Sequence, residues 1–131
     1  MPYVIKTAPF SAAAGSSATL EELALYGGGQ IATGDEVFIW FSETQGGGGL
    51  AWRATVTRRI AASNRKVSVV VGLTEAAPLG ALGIKELEPL RVSREADGLS
   101  GVSRKLYRHA HNKCAALTEV EAAELRRRFS S

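Results

Sequence analysis

Residues 34–57 read GDEVFIWFSETQGGGGLAWRATVT and predict two β-strands joined by a glycine-rich loop. The first strand is apolar on both faces, with Val37, Ile39 and Phe41 on one and Phe38, Trp40 and Ser42 on the other. This pattern is typical of a strand that is covered on each side. In the second strand one face is apolar and the other is basic and polar, with Leu50, Trp52, Ala54 and Val56 opposed to Arg53, Thr55, Thr57 and Arg59.

This stretch resembles the EVE domain and its YTH relatives. The shared order is Gly-Asp-x-Val, an apolar run ending in an aromatic residue and a serine, a glycine loop and an apolar strand. Residues 3–9, YVIKTAP, match the lysine, small hydroxyl residue and proline that follow the first strand of those domains. Both families belong to the PUA-like group of small β-barrels that bind nucleic acids, several of them by taking a modified base into an aromatic-walled pocket.

The resemblance implies an α+β fold, a PUA-like pseudobarrel of about five to six strands forming a single domain over residues 1–131. Local signals predict its two helices. Thr19 and Glu22 fit a capping box for a short helix in the N-terminal half that ends at the glycines 27–29. Thr118 and Glu121 fit a second capping box for a C-terminal helix, whose inward residues are Ala122, Leu125 and Phe129.

The rest of the chain gives weaker signals. Residues 66–73 alternate in polarity and predict a strand that pairs with the one before it. Glycine and proline break residues 74–101 into short pieces, among which 87–92 could form a strand. Residues 106–117 fit either a helix or a strand pattern, and the family resemblance favours a loop followed by a closing strand at 113–117.

Charge is unevenly distributed along the 131 residues, although the net charge is only +3. Residues 44–74 contain five basic and no acidic residues, and residues 101–131 contain seven basic and three acidic ones. Two such regions suit a surface that binds a polyanion, and two solvated faces are the alternative. Cys114 is the only cysteine, which excludes an internal disulfide. With no signal peptide and no apolar span, a cytoplasmic protein without membrane contact is expected.

A base pocket is predicted from Thr7, Trp40, Ser42 and Trp52. Aromatic rings can stack on any base, and hydroxyl groups can bond a base edge. The family commonly has an aromatic residue at the position of Trp40, whereas Trp52 stands where many EVE sequences have glycine, and Ala8 replaces a common acid. The alternative is that both tryptophans are core residues, and this applies most strongly to Trp52, which is predicted to form the floor.

Contacts to the nucleic-acid backbone are predicted for seven polar residues, namely Lys6, Arg53, Arg108, His109, His111, Asn112 and Lys113. Arginine and lysine suit phosphates, asparagine can read a base edge and histidine can stack or bond. An exposed lysine and a solvated loop are the alternatives. A metal site from His109, His111 and Cys114 would lack a further ligand at a recognisable spacing, so no metal and no cofactor is expected.

These features predict a non-enzymatic reader of DNA or RNA that takes a modified or flipped base into an aromatic-walled pocket. The first alternative is a small amidohydrolase of the ASCH type, in which a lysine, a threonine and a glutamate act on a modified nucleoside. The second is a docking domain that uses the C-terminal helix and its arginines. The resemblance also implies a nuclease or another defence-system protein as a partner.

Overall fold

The structure is a computed structural model that describes residues 2–26, 31–63, 66–78, 80–90, 98–107 and 113–129. Within these ranges the chain forms strands β1 (Pro2–Thr7), β2 (Ser17–Tyr26), β3 (Glu36–Phe41), β4 (Gly49–Ser63), β5 (Lys66–Ala76) and β6 (Lys113–Ala116). The helices are α1 (Ile84–Leu87), α2 (Gly98–Leu106) and α3 (Glu119–Arg127), with two short 3-10 turns at Glu43–Gln45 and Glu88–Leu90. This content confirms the predicted α+β class.

The strands close into a barrel in the order β1, β3, β4, β5, β2, β6. β1 is parallel to β3 and β2 is parallel to β6, while the other neighbours are antiparallel. The predicted pairing of residues 66–73 with the preceding strand is confirmed in the long β4–β5 hairpin. Because closure leaves the barrel strands without a free edge, further packing takes place on the barrel's outer surface.

Apolar side chains form two layers, one inside the barrel and one between the barrel and the helices. The interior includes Tyr3, Ile5, Leu20, Leu23, Val37, Ile39, Trp52, Val56, Val69, Val71 and Cys114. The outer layer includes Val4, Phe38, Trp40, Leu50, Leu82, Leu87, Val102, Leu106, Leu125 and Phe129. β1 and β3 therefore contribute to both layers, which confirms that the first strand of the central stretch is covered on each side.

A β-bulge in the β3–β4 ladder corrects the predicted face of Leu50. Trp52 lies opposite Ile39 and Leu50 lies opposite Trp40, so one extra residue, Ala51, is inserted in β4. The insertion reverses the alternation of side chains. Leu50 consequently joins the outer layer beside Trp40, whereas Trp52 stays inside the barrel.

The helix predicted from Thr19 is wrong, because these residues form β2. Leu20 pairs with Val69 and Leu23 pairs with Val67, so β2 advances three residues while β5 advances two. The extra residue is accommodated by a bulge in which Glu22 has a φ of 56°. The bulge lets two leucines three positions apart point into the same interior, which produces a helix-like spacing within a strand.

The second half of the chain confirms two predictions and contradicts one. β6 is the predicted closing strand, and α3 is the predicted C-terminal helix, with both hydrogen bonds of the capping box between Thr118 and Glu121. Residues 87–90 contain the end of α1 and a 3-10 turn where a strand was predicted. α2 was not predicted, because its small residues Gly98, Ser100, Gly101 and Ser103 give little helical signal.

Candidate functional site

Three strands bring two lysines and a tryptophan together at one end of the barrel, here called the Lys6 end. In the strand register Lys6 lies opposite Trp40 of β3 on one side and opposite Lys113 of β6 on the other. Both lysines are buried, with exposed fractions of 5% and 1%. Like charges directly opposite each other destabilise a sheet, so this pair is costly for the fold.

The surroundings of the two lysines lower their affinity for protons. Lys6 donates from Nζ to the carbonyl oxygen of Leu106 at 3.0 Å, and Nζ lies 4.7 Å from the centroid of the Tyr107 ring. Burial lowers the pKa of Lys6, and the charge of Glu43 partly opposes this. Burial and then the charge of Lys6 lower the pKa of Lys113 to about 8. A substantial share of Lys113 is therefore uncharged just above neutral pH.

Glu43 accepts hydrogen bonds from two aromatic residues, one near it in the sequence and one 64 positions further along the chain. The residue follows β3 in the first 3-10 turn, and its Oε1 accepts from Trp40 Nε1 at 3.0 Å. Its Oε2 accepts from Tyr107 Oη at 3.1 Å. The two rings meet edge to face, with centroids 6.3 Å apart. Burial and then the charge of Glu43 raise the pKa of Tyr107, so the phenol stays a proton donor.

A cleft of about 270 Å³ opens beside Glu43. It is lined by Glu43, Gly47, Gly48, Gly80, Gly83, Ile84, Lys85 and Glu86. A Cβ on Gly48 or Gly80 would have no atom within 4 Å, whereas a Cβ on Gly47 would lie 2.6 Å from the backbone of Phe41. The glycines thus leave open space in front of the carboxylate and let the loop pack closely behind it.

Three of the four residues predicted for the base pocket come to the Lys6 end. Trp40 and Ser42 are fully buried, and the Ser42 amide donates to the carbonyl oxygen of Thr7 at 2.8 Å. Trp52 belongs to the barrel interior, on the other side of the sheet from Trp40. It borders a cleft of about 240 Å³ beside Phe41, which shares Gly48 and Gly80 with the cleft beside Glu43. The two tryptophans therefore do not wall a single pocket.

Arg53, predicted to contact phosphates, is part of an ion-pair network. Its Nε donates to Glu36 at 2.9 Å, and Arg126 Nη2 donates to the same carboxylate at 2.6 Å. Burial opposes ionisation of Glu36, but hydrogen bonds and charge from Arg126 and then Arg53 outweigh it and keep the pKa of Glu36 low. The network borders a cleft of about 620 Å³ and joins α3 to the barrel.

The remaining predictions for backbone contacts divide into two groups. Lys6 and Lys113 are buried rather than presented on the surface. Arg108, His109, His111 and Asn112 lie outside the described residues. The C-terminal arginines are engaged with carboxylates, since Arg127 bonds Glu124 at 2.7 Å.

Sequence reasoning missed Glu43, the role of Tyr107 and the cleft. Glu43 directly follows the strand that carries Trp40, which is the one available signal. Its second donor is 64 positions further along the chain, and nothing in the local sequence indicates that contact. The cleft lies between two glycine-containing loops, residues 46–49 and 80–83, which are far apart in the sequence.

Comparison with known proteins gave no match to a protein-family model, a curated protein or a solved structure. The resemblance to EVE and YTH domains therefore rests on the residues quoted above and stays a prediction. Among the described residues, no helix has the length and apolar character needed to cross a bilayer. The site can offer hydrogen-bond acceptors from Glu43 at the cleft and positive charge from the lysines behind it.

Proposed function

We propose that the protein is a PUA-like reader of nucleic acid that takes a single base, modified or flipped, into the cleft at the Lys6 end. One arrangement supports this proposal. A buried pair of lysines lies beside Trp40 and Tyr107, and these two aromatic residues orient the carboxylate of Glu43, which lines a cleft. Groups of this kind are costly in a core, and their clustering at a cleft is typical of a binding site.

The size of the cleft favours a base over a larger ligand. At about 270 Å³ it lies just below the roughly 300–1,000 Å³ common for sites that hold drug-sized molecules. A single base fits within this volume. Flipping a base costs a few kcal/mol, so edge contacts inside the cleft must offset that cost.

The sequence around the site contains basic and polar residues that suit contacts to the sugar-phosphate backbone. Lys85 is exposed and lines the cleft. Arg108, His109, His111 and Asn112 lie in sequence between Tyr107 and Lys113, both of which belong to the site. Phosphate contacts from such residues would hold the strand while the cleft reads the base.

The test is a binding measurement on Lys6→Met and a matched control. Fluorescence anisotropy with labelled single- and double-stranded DNA and RNA, plain and carrying modified cytosine or adenine, is recorded at two salt concentrations. We expect wild-type binding to at least one oligonucleotide and about a tenfold or greater loss in Lys6→Met. Arg58→Met is the control, because Arg58 is exposed and lies nine positions along β4 from Gly49, the residue that pairs with the end of β3.

Two results would contradict the proposal. Wild-type protein that binds no oligonucleotide even at low salt would remove the nucleic-acid function. Equal losses of affinity in Lys6→Met and Arg58→Met would show that binding follows overall charge and not the Lys6 end.

The lysine pair also favours a second candidate, a small hydrolase acting on a modified nucleoside. An amine with a pKa of about 8, as at Lys113, can accept a proton near neutral pH, and Glu43 lies close to Lys6. Release of product from a panel of modified nucleosides, lost in Lys6→Ala, would favour this candidate over the reader. Binding without turnover would favour the reader.

A further inference from the structure

Glu43 lines the cleft, and its carboxylate can accept more hydrogen bonds than it receives from the described residues. An ionised carboxylate has about four acceptor positions, two on each oxygen. In the part of the chain that the structure describes, Trp40 occupies one position on Oε1 and Tyr107 occupies one on Oε2. Each oxygen therefore keeps one position, and the half-buried side chain lines the cleft.

The donors behind Glu43 also fix its orientation. Trp40 is fully buried, and an indole N–H can only donate, so the first bond keeps Oε1 in place. The second bond, from Tyr107, keeps Oε2 in place and restrains rotation of the carboxylate. Trp40 and Tyr107 are positioning residues in this arrangement, because they act on a ligand through Glu43.

We propose that Glu43 recognises guanine, an inference that rests on the nucleic-acid function proposed above. Guanine is the common base that presents two adjacent N–H donors on one edge, N1–H and the exocyclic amine. Such a pair can bond both oxygens of one carboxylate, which gives short, charge-assisted hydrogen bonds. Cytosine and adenine place an acceptor nitrogen beside their amine, and thymine and uracil flank one N–H with carbonyl oxygens, so each would set an acceptor against the carboxylate.

The ligand test uses single-atom changes of the base. Anisotropy is measured with a labelled single-stranded oligothymidylate that carries one central guanine, hypoxanthine, N1-methylguanine, adenine or abasic position, in DNA and RNA form. We expect guanine to bind most tightly. Hypoxanthine lacks the exocyclic amine and N1-methylguanine lacks N1–H, so each loses one charge-assisted bond and about tenfold in affinity.

The protein test uses three substitutions. Glu43→Gln keeps the shape but replaces one oxygen by an NH₂ donor, so the preference for guanine over adenine should disappear. Gly48→Val adds a side chain at the lining of the cleft, where an added Cβ meets no atom within 4 Å, and the same preference should disappear with the fold intact by circular dichroism. Glu21→Gln removes an exposed charge on β2 and should keep the preference.

The outcomes separate the two proposals. Binding to all the oligonucleotides without preference for guanine would overturn the assignment of guanine and leave the nucleic-acid function standing. A guanine preference that survives in Glu43→Gln would overturn the role of Glu43. If the wild type binds no oligonucleotide, the nucleic-acid function fails and this inference fails with it.

Discussion

Two glutamates that flank β3 occupy opposite environments. Glu36, at the start of the strand, accepts hydrogen bonds from the guanidinium groups of Arg53 and Arg126. Glu43, just after the end of the strand, accepts from the neutral donors of Trp40 and Tyr107. The first carboxylate is matched by cations at bonding distance. The second is bonded by neutral groups, although a cation from Lys6 acts on it from nearby.

The difference separates a structural contact from a binding site. At Glu36 the ion pairs connect β3, β4 and α3, and both oxygens of the Glu36 carboxylate accept hydrogen bonds from arginines of the protein. At the Lys6 end two lysines and Glu43 are gathered, and Glu43 lines an open cleft. Changes at Glu36 should therefore alter stability, while changes at the Lys6 end should alter binding and can even increase stability.

The largest effect on stability is expected for Glu36→Ala. The substitution leaves Arg53 and Arg126 without their shared carboxylate, and we expect a loss of about 2–3 kcal/mol in the free energy of unfolding, as for hydrogen bonds to charged groups. Guanine binding should stay unchanged. Urea denaturation measures the loss, with Glu21→Ala as a control at an exposed position. A loss no larger than that of the control would show that the network does not hold α3 to the barrel.

The carboxylate of Glu36 should also make the stability of the protein depend on pH. Because the folded pKa of Glu36 lies below its ordinary value of 4.5, its contribution is present above that pH and is lost as the pH falls through the folded pKa. Wild-type protein should lose more stability on acidification than Glu36→Ala. Parallel stability curves for the two proteins below about pH 4.5 would contradict this account.

Lys113→Met should increase the free energy of unfolding, whereas Glu36→Ala should decrease it. The folded pKa of Lys113, about 8, is below its ordinary value of 10.5, so the wild type binds fewer protons at this group when folded, and its stability rises with pH between these values. Methionine removes the buried amine, and at pH 7 we expect a gain of about 1–2 kcal/mol. Urea denaturation at pH 7 and pH 10 should show that the gain shrinks at the higher pH. A variant less stable than the wild type at pH 7 would contradict the prediction.

The smallest effect is expected for Tyr107→Phe. The substitution keeps the ring beside Lys6 and removes one donor to Glu43, which should cost about 1 kcal/mol of stability, as for a single hydrogen bond. Denaturant titration measures this difference. Unchanged stability together with an unchanged guanine preference would show that the phenol does not position Glu43.

The sequence predicted an element of the fold correctly where a single local signal determined it. β3 is apolar on both faces, which predicted its burial on both sides, and the capping box of Thr118 predicted α3. β2 was missed because a bulge places Leu20 and Leu23 on one face at a helix-like spacing. A bulge is decided by the partner strand, which the local pattern does not contain.

The candidate site was accessible only in part. Lys6, Trp40 and Lys113 were singled out, and the register places them side by side. Their burial and the contact of Glu43 with Tyr107 depend on where α2 packs. α2 is rich in glycine and serine, whose low helix propensity hid it in the sequence. Trp40 and Trp52 lie on opposite sides of the barrel wall, because the register of β3 and β4 sets Trp52 opposite Ile39, and the sequence pattern does not give this register.

The most direct test is a ¹H–¹⁵N spectrum of the two indole N–H groups, recorded while the guanine-bearing oligonucleotide is added. Trp40 donates its indole N–H to Glu43, whereas Trp52 lies inside the barrel, so one spectrum contains both the reporter and its control. Trp52→Phe assigns the two signals. If guanine bonds Glu43, we expect the Trp40 signal to shift and the Trp52 signal to stay in place. A shift confined to Trp52, or no shift of either signal at saturating ligand, would contradict this expectation.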